Sequence, residues 1–565
     1  MWKTLRVDMT SRSCHEEPFK YEYVGLGGRG LVARVLLDEM DPSADPLGSE
    51  STLVLATTAL AATGVGCVNR LSVGCKSPMT GGIKEANVGG SFATLMAQHG
   101  LRMMLLQGSP QQEGMWIVHV DANGTAALEP AGDCEGLNNY ELVRRLKERY
   151  GNRIAVASIG LAGERGYKNS SVQVTEYGTD YPNRAAARGG TGSVMGSKRV
   201  KAVIFEKPAV RATPALANQE EFERLKAELN QVLSDGAAVH EIRHTGTPAA
   251  VRLHHENGVL PVRNFSGKHM VDIDRIYPER FMEIVRARGE TGRACQAGCR
   301  IRCSNQVMDE AGEYVTGGLE YETIALCGAN TLIADLDAIA RIDHFCDDLG
   351  VDTIETGATL GVCMEAGKIP WGDAEAAMGL LREMGEATEF GRIMGAGTEA
   401  VGRHLGADRI PVVHHMAIPG YDIRGAAPTG VAFAGGAQGA DHTTCPSLGT
   451  FEEMTPEEIC AVSYAIQRIF ATYDNLMCIF AALFLEQHLA ILAALYAAEY
   501  GGDPSVDRLL ELGDRTLRWE KEFNRAAGWQ DGDDVLPAFF YAEASEMAGA
   551  AFRVPQQVMS QTVKL

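Results

Sequence analysis

The chain has 565 residues, 45% of them hydrophobic and 22% charged, with a formal net charge of −21. That length exceeds what one hydrophobic core supports and implies two to four domains, while so acidic a balance excludes nucleic acid and anionic membrane surfaces as partners. The 63 glycines point to many tight turns, or to backbone drawn close to a large ligand. Residues 1–9 carry no leader-like apolar run, and thirteen cysteines, an odd number, suit a reducing, cytoplasmic setting rather than a disulfide framework.

Short strands are expected at residues 6–8, 21–24 and 51–56, with Gly25-Leu-Gly-Gly-Arg-Gly30 lying between the second of these and a helix over 31–38. Further strands are expected at 71–74, 103–107, 116–120, 154–158 and 200–205, and Pro208 and Pro214 frame a boundary. From about residue 219 apolar residues recur every three or four positions, predicting helices at 220–234, 278–288, 335–349 and 373–385. Residues 410–424 read as irregular, and a second helical region covers 455–500 and 505–523. The apolar stretch 476–500 contains Glu486, Gln487 and His488, costly at a bilayer centre, so it reads as a buried core helix and not as a membrane span. The pattern is α+β: an N-terminal β-sheet base domain (1–208) followed by two mainly α-helical domains (209–415 and 416–565).

Three groups of residues carry chemistry. Cys295, Cys299 and Cys303 fall within nine positions, a spacing that lets one loop offer three thiolates to iron; a cubane cluster needs a fourth, for which Cys478 is the candidate, and zinc is the rival metal. Glycine–arginine segments recur at Gly27-Gly-Arg-Gly30, from Arg70 through Lys76 to Gly90, and from Arg184 to Lys198; such segments bring backbone N–H groups and guanidinium forks to anions. Glu320 and Glu322, the run from Asp347 to Gly357, and the histidines His414, His415 and His442 supply acids and bases, although helix capping and structural histidines explain such residues equally well.

Taken together and in order, these motifs resemble the aldehyde ferredoxin oxidoreductase family over nearly the whole chain. The similarity is carried by Gly27-Gly-Arg-Gly-Leu31, Ala44-Asp-Pro-Leu-Gly48, Lys76-Ser-Pro, Ala86-Asn-x-Gly-Gly90, Arg188-Gly-Gly-x-Gly-x-Val-Met-Gly-Ser-Lys198, Glu320-Tyr-Glu-Thr323, Leu349-Gly-Val-Asp-Thr353 and Pro419-Gly-Tyr-Asp-x-Arg-Gly425. The resemblance implies a base of two β-sheets under two helical domains, and a tungsten or molybdenum ion held by two pterins beside one [4Fe-4S] cluster, with magnesium bridging the pterin phosphates. By position it implies pterin contacts from Arg70, Asn87, Gly89, Arg188, Gly190, Gly192, Asp347, Asp352, Thr353, Asp474 and Met477. It implies cluster ligation by Cys295, Cys299, Cys303 and Cys478, and Glu322 and His442 beside the metal, with Glu320 as the second choice of carboxylate. The implied reaction is reversible two-electron oxidation of an aldehyde to a carboxylic acid, electrons leaving to ferredoxin or a small iron–sulfur subunit, in a homodimer or hetero-oligomer. Two alternatives stand beside it: a catalytic subunit like that of benzoyl-coenzyme-A reductase, and an iron–sulfur electron-transfer protein without pterin. Two departures from the family pattern touch the cluster. One residue is inserted between Cys295 and Cys299, and Asp474-Asn-Leu-Met-Cys478 is one residue short and lacks the glycine of the second pterin motif.

Overall fold

The computed structural model describes residues 2–449 and 451–563. The N-terminal part is built on two six-stranded mixed sheets. In spatial order the first holds Ser13–Pro18, Lys3–Asp8, Leu101–Gln107, Leu53–Thr57, Leu71–Lys76 and Ile83–Val88; the second holds Arg184–Ala186, Val172–Val174, Ile154–Ser158, Val200–Glu206, Trp116–Val120 and Ala126–Pro130. The pleat sends alternate residues to opposite faces. Leu5, Val7, Leu53, Leu55, Leu71 and Val73 therefore enter the core shared with Val118, Val156 and Val203 of the second sheet. Their neighbours Val54, Ala56, Met103 and Leu105 turn the other way, onto Leu31, Val35 and Leu36 of the helix Gly28–Glu39 and onto Phe470, Tyr473 and Leu509 near the C-terminal end. Both faces of the central strands are thus buried, which explains why they read as apolar runs and not as alternating segments.

The rest is helical, and the architecture is α+β. Caps visible in the sequence start several helices: Asp335 accepts from the N–H groups of Asp337 and Ala338 to open Leu336–Leu349, and Thr455 with Glu458 forms a capping box for Pro456–Leu476. A three-stranded sheet, Gly289–Arg293, Ser304–Met308 and Tyr314–Gly317, interrupts the helices. Among the described residues no helix is long and apolar enough to cross a membrane.

Two expectations are corrected. Residues 21–24 are not a strand; Tyr21–Tyr23 forms a single 3₁₀ turn closed by the Val24 N–H on the Tyr21 carbonyl. Residues 476–500 are not one helix. The chain leaves Pro456–Leu476 through Met477, extended at φ −165°, because the Cys478 N–H is drawn to the carbonyl of Cys67 at 2.9 Å. A 3₁₀ turn (Ile479–Ala481) and a short helix (Ala482–Leu485) intervene before the helix Leu489–Tyr500. Within 410–424, read as irregular, Val412–Val413 and Met416–Ala417 pair as a two-stranded ladder.

Candidate active site

The cysteine triplet lies on the connection between the antiparallel strands Gly289–Arg293 and Ser304–Met308. That connection is stapled to residues 67–90 of the first sheet. Gly90 N–H donates to the Cys295 carbonyl (2.8 Å), Cys67 N–H to the Gly298 carbonyl (3.3 Å), and the Asn69 side chain to the Ala297 carbonyl (2.9 Å). Arg70 crosses this junction: its Nε donates to Asn87 Oδ1 at 2.5 Å and its Nη1 lies 3.9 Å from Cys295 Sγ. Gly89 makes the room, since a Cβ there would come within 3.1 Å of both Arg70 Nη1 and Cys295 Sγ. Burial opposes the Arg70 charge, but Cys478, Cys295, Asp474 and Cys303 facing it carry its pKa above the ordinary value. Arg70, Asn87, Gly89, Asp474 and the four predicted cluster cysteines thus share one neighbourhood. Among the described residues no three His, Cys, Asp or Glu side chains converge at single-ion spacing.

Asp474, near the C-terminal end of Pro456–Leu476, is fully buried, and neither carboxylate oxygen accepts a hydrogen bond. Its nearest cation is Arg29, 3.8 Å away, itself held by Glu520 at 2.7 and 2.9 Å. Desolvation, with Glu85 nearby, pushes the Asp474 carboxyl well above its ordinary value. Met477 is also fully buried. The first predicted motif is built differently. Leu336–Leu349 ends on Gly350 at φ 79°, a left-handed cap, and Asp352 then caps the next helix by accepting from Ile354 N–H at 2.9 Å. Asp347 is buried beside Asp343 and Arg184, and desolvation followed by the Asp343 charge raises it well above its ordinary value. The Thr353 hydroxyl accepts from Thr323 at 3.0 Å. The missing residue in the second motif removes the left-handed cap, so its helix runs straight into an extended Met477.

Glu320 and Glu322 part company. Glu320 is the extended N-cap residue of the short helix Tyr321–Ile324 (φ −101°, ψ 167°), while Glu322 lies within that helix, and the two side chains have different surroundings. Glu320 accepts from Thr247, lies 3.6 Å from Arg184 and adds its charge to that felt by Cys303, so it belongs to the cysteine side. A third of its side chain is accessible, yet desolvation still outweighs Arg184 and leaves its pKa raised. Glu322 faces the other side. Its Oε2 accepts from Gly420 N–H at 2.7 Å, and its buried Oε1 has no hydrogen-bond partner. Burial raises its carboxyl above the ordinary value of 4.5, against the pull of His442, the Gly420 N–H and Arg188. His442 leaves Nδ1 without a hydrogen bond, 3.9 Å from Asp441 Oδ1. A π-turn, Ala325–Ala329, follows directly, a device common at functional sites.

Several of the expected anion-binding segments are also tightly packed against protein. Arg188 is buried and committed to protein groups: Asp352 at 3.1 Å and the carbonyls of Ala417 and Ala440. A Cβ on Gly190 would strike the Lys168 carbonyl at 2.6 Å, and one on Gly192 the Ser171 carbonyl at 2.4 Å. Gly28 and Gly30 give way in the same manner to the Asp474 carbonyl and the Asn475 side chain. Further groups of consequence carry no sequence motif. Cys67 is wholly buried inside the cysteine site. Lys84 is buried against Asp441, beside His442. Tyr321, Tyr421 and His254 form an aromatic wall near Glu322, with ring centroids 4.4 to 5.9 Å apart. Lys84 and Glu85 are both buried in the strand Ile83–Val88, and nothing in so polar a segment announced that burial.

The donor set fits the implied cofactors. Thiols converging on an arginine suit iron, and buried carboxylates with unused oxygens, Asp474 above all, suit the N–H groups of a heterocycle. A family model described as aldehyde ferredoxin oxidoreductase, N-terminal domain, matches residues 4–207, and one for domains 2 and 3 matches 224–564. The chain therefore belongs to the aldehyde ferredoxin oxidoreductase family and is an oxidoreductase of that family. It is 29% identical to the tungsten-containing aldehyde ferredoxin oxidoreductase of Pyrococcus furiosus, over 95% of this chain and 91% of that one. It is 30% identical to the Pyrococcus horikoshii enzyme of the same description, over 96% and 91%. An aliphatic sulfonate oxidoreductase subunit of P. furiosus is 24% identical over 79% and 75%. In fold, the chain matches the active-site complex of benzoyl coenzyme A reductase bound to 1,5-dienoyl-CoA, with a TM-score of 0.78 at 18% identity, over 95% of this chain and 90% of that one.

Proposed function

We propose that this protein oxidises aldehydes to carboxylic acids, reversibly, using a tungsten–bispterin cofactor and one [4Fe-4S] cluster, and delivers the electrons to ferredoxin or a small iron–sulfur subunit. The observation that carries the reading is Glu322: a buried carboxylate with one oxygen fixed by Gly420 N–H, the other unpaired, and His442 acting on it. The overall change is aldehyde plus water to acid, two protons and two electrons. When bound, the metal–pterin group supplies the two-electron chemistry and the cluster passes electrons on singly.

Cys295, Cys299, Cys303 and Cys478 would hold the cluster. Arg70 with Asn87, Asp474, Asp347 and Asp352 would hold the pterins. Glu322 Oε1 takes the proton from the water that adds to the carbonyl carbon. His442 donates a hydrogen bond to the carbonyl oxygen as negative charge grows there. Tyr321, Tyr421 and His254, clustered near Glu322, would favour an apolar aldehyde and limit water.

Anaerobic purification with tungsten, molybdenum, iron, magnesium, zinc and pterin measured per chain, followed by aldehyde-dependent reduction of a viologen dye, tests the reading. Tungsten with two pterins and about four irons, together with aldehyde turnover, is the expected result. Iron without pterin overturns it in favour of an electron-transfer protein. Turnover of an aromatic acyl thioester without turnover of aldehydes overturns the substrate class.

A further inference from the structure

The cysteine site contains five thiols. Cys67, three residues before Arg70, is wholly buried and packs in one apolar cluster with Cys299, Cys303 and Cys478. Every polar group of Cys67 is engaged by the segments that carry the other cysteines. Its N–H donates to the Gly298 carbonyl at 3.3 Å, and its carbonyl accepts from Cys478 N–H at 2.9 Å and from the Gln296 side chain at 3.4 Å. Its Sγ accepts from Arg300 N–H at 3.3 Å. Cys299 Sγ is held in the matching way by Arg302 N–H, also at 3.3 Å. The two thiols adjoin each other, and Cys299 in turn adjoins Cys295. Two neighbouring sulfurs are therefore each provided with one backbone donor from a single loop, and such N–H···S bonds favour the ligating thiolate and tune a cluster. The extra residue between Cys295 and Cys299 is one of the two places where this chain leaves the spacing of the family it resembles, and Cys67 stands against that altered cysteine.

We propose that Cys67 is a fifth cysteine of the cluster site and that its sulfur takes over the iron of Cys299 whenever Cys299 does not ligate. The exchange releases the Cys67 proton and returns one to Cys299, so charge and electron count at the iron are unchanged. The inference rests on the iron–sulfur reading above.

The test uses the full chain purified anaerobically as wild type, Cys299→Ala, Cys67→Ser, and Cys299→Ala combined with Cys67→Gly. Glycine is chosen in the last because residue 67 has φ +65°, which glycine adopts freely. Iron per chain and the electron paramagnetic resonance of oxidised and reduced samples are the readouts. Wild type and Cys299→Ala are both expected to hold about four irons, the single variant with shifted g values, while the double variant falls to about three and shows a signal only when oxidised. Equal iron and identical spectra in Cys299→Ala and the double variant overturn the proposal. A wild type without iron instead overturns the reading of the site as a cluster, so the two failures are distinct.

Discussion

Glu322 and Glu320, separated by Tyr321, show how two acids close in sequence come to different surroundings. Both are raised by burial, but only Glu322 keeps an unpaired oxygen and faces His442. In the proposed role of base Glu322 must be ionised, so turnover is expected to rise with pH through its pKa. Because burial has moved that pKa up, the acid limb of kcat/KM is expected above the ordinary value of 4.5. Glu322→Gln keeps an acceptor for Gly420 N–H and should lower kcat/KM by about 10²–10⁴ with tungsten and iron retained; Glu320→Gln should leave the acid limb in place. A limb that survives Glu322→Gln unchanged would remove Glu322 from the role. Asp474 yields a prediction for the cofactor-free protein. Its folded pKa lies well above the ordinary 3.8, so the folded chain holds a proton that the unfolded chain releases as pH climbs past that value. Stability is unaffected below 3.8 and is lost as pH rises towards the folded pKa, by up to about 1.4 kcal/mol per pH unit. Asp474→Asn should flatten that slope in melting curves of the cofactor-free chain while lowering the pterin retained by the purified protein.

At the scale of elements, close approach of backbones sets the site more than any loop does. The helix Thr353–Glu365 presses Gly357 onto the π-turn Ala325–Ala329, where an added Cβ would lie 2.7 Å from the Leu326 carbonyl carbon. Backbone cannot swing aside as a side chain does, so Gly357→Ala should cost about 1–3 kcal/mol and lower kcat by displacing Glu322 one turn earlier; a denaturant titration alongside kinetics checks both. Such contacts explain what the sequence could and could not show. Helices with an Asp, Ser or Thr cap and apolar residues every three or four positions were legible, as was the α+β order. The short strands Val172–Val174 and Arg184–Ala186 were not, because three residues carry no period. Residues 476–500 looked like one helix because the pull of Cys67 on Cys478 is tertiary. The close packing of Gly28, Gly30, Gly190 and Gly192 against neighbouring protein was not legible either, since a glycine in sequence does not say which partner approaches it. Arg70, Asn87 and the cysteines could be placed together only through the family resemblance, since their proximity depends on sheet and loop pairing across more than 200 positions.

Across the whole molecule one buried polar chain joins the ends of the sequence to the candidate site. Arg29, on the first helix, is bound by both oxygens of Glu520. Glu520 also accepts from Gln438, whose carbonyl receives Glu85 N–H at 2.9 Å and Lys84 at 3.2 Å, and Lys84 ends on Asp441 next to His442. Glu520 and Lys84 are fully buried and Arg29 is 2% exposed. Desolvation penalises such ions heavily, so the pair is a weak source of stability by itself, but removing one member strands the other in a medium that cannot solvate it. Glu520→Leu should therefore destabilise the protein by about 3–5 kcal/mol, and adding Arg29→Leu should recover part of the loss because the stranded charge goes with it. Recovery will be incomplete, since Gln438 and Asp474 then lose a partner of their own. Denaturant midpoints for wild type, Glu520→Leu, Arg29→Leu and the double variant form the cycle that decides it. Additive losses would mean that the two residues act independently and that the chain from residue 29 to His442 is not a coupled unit.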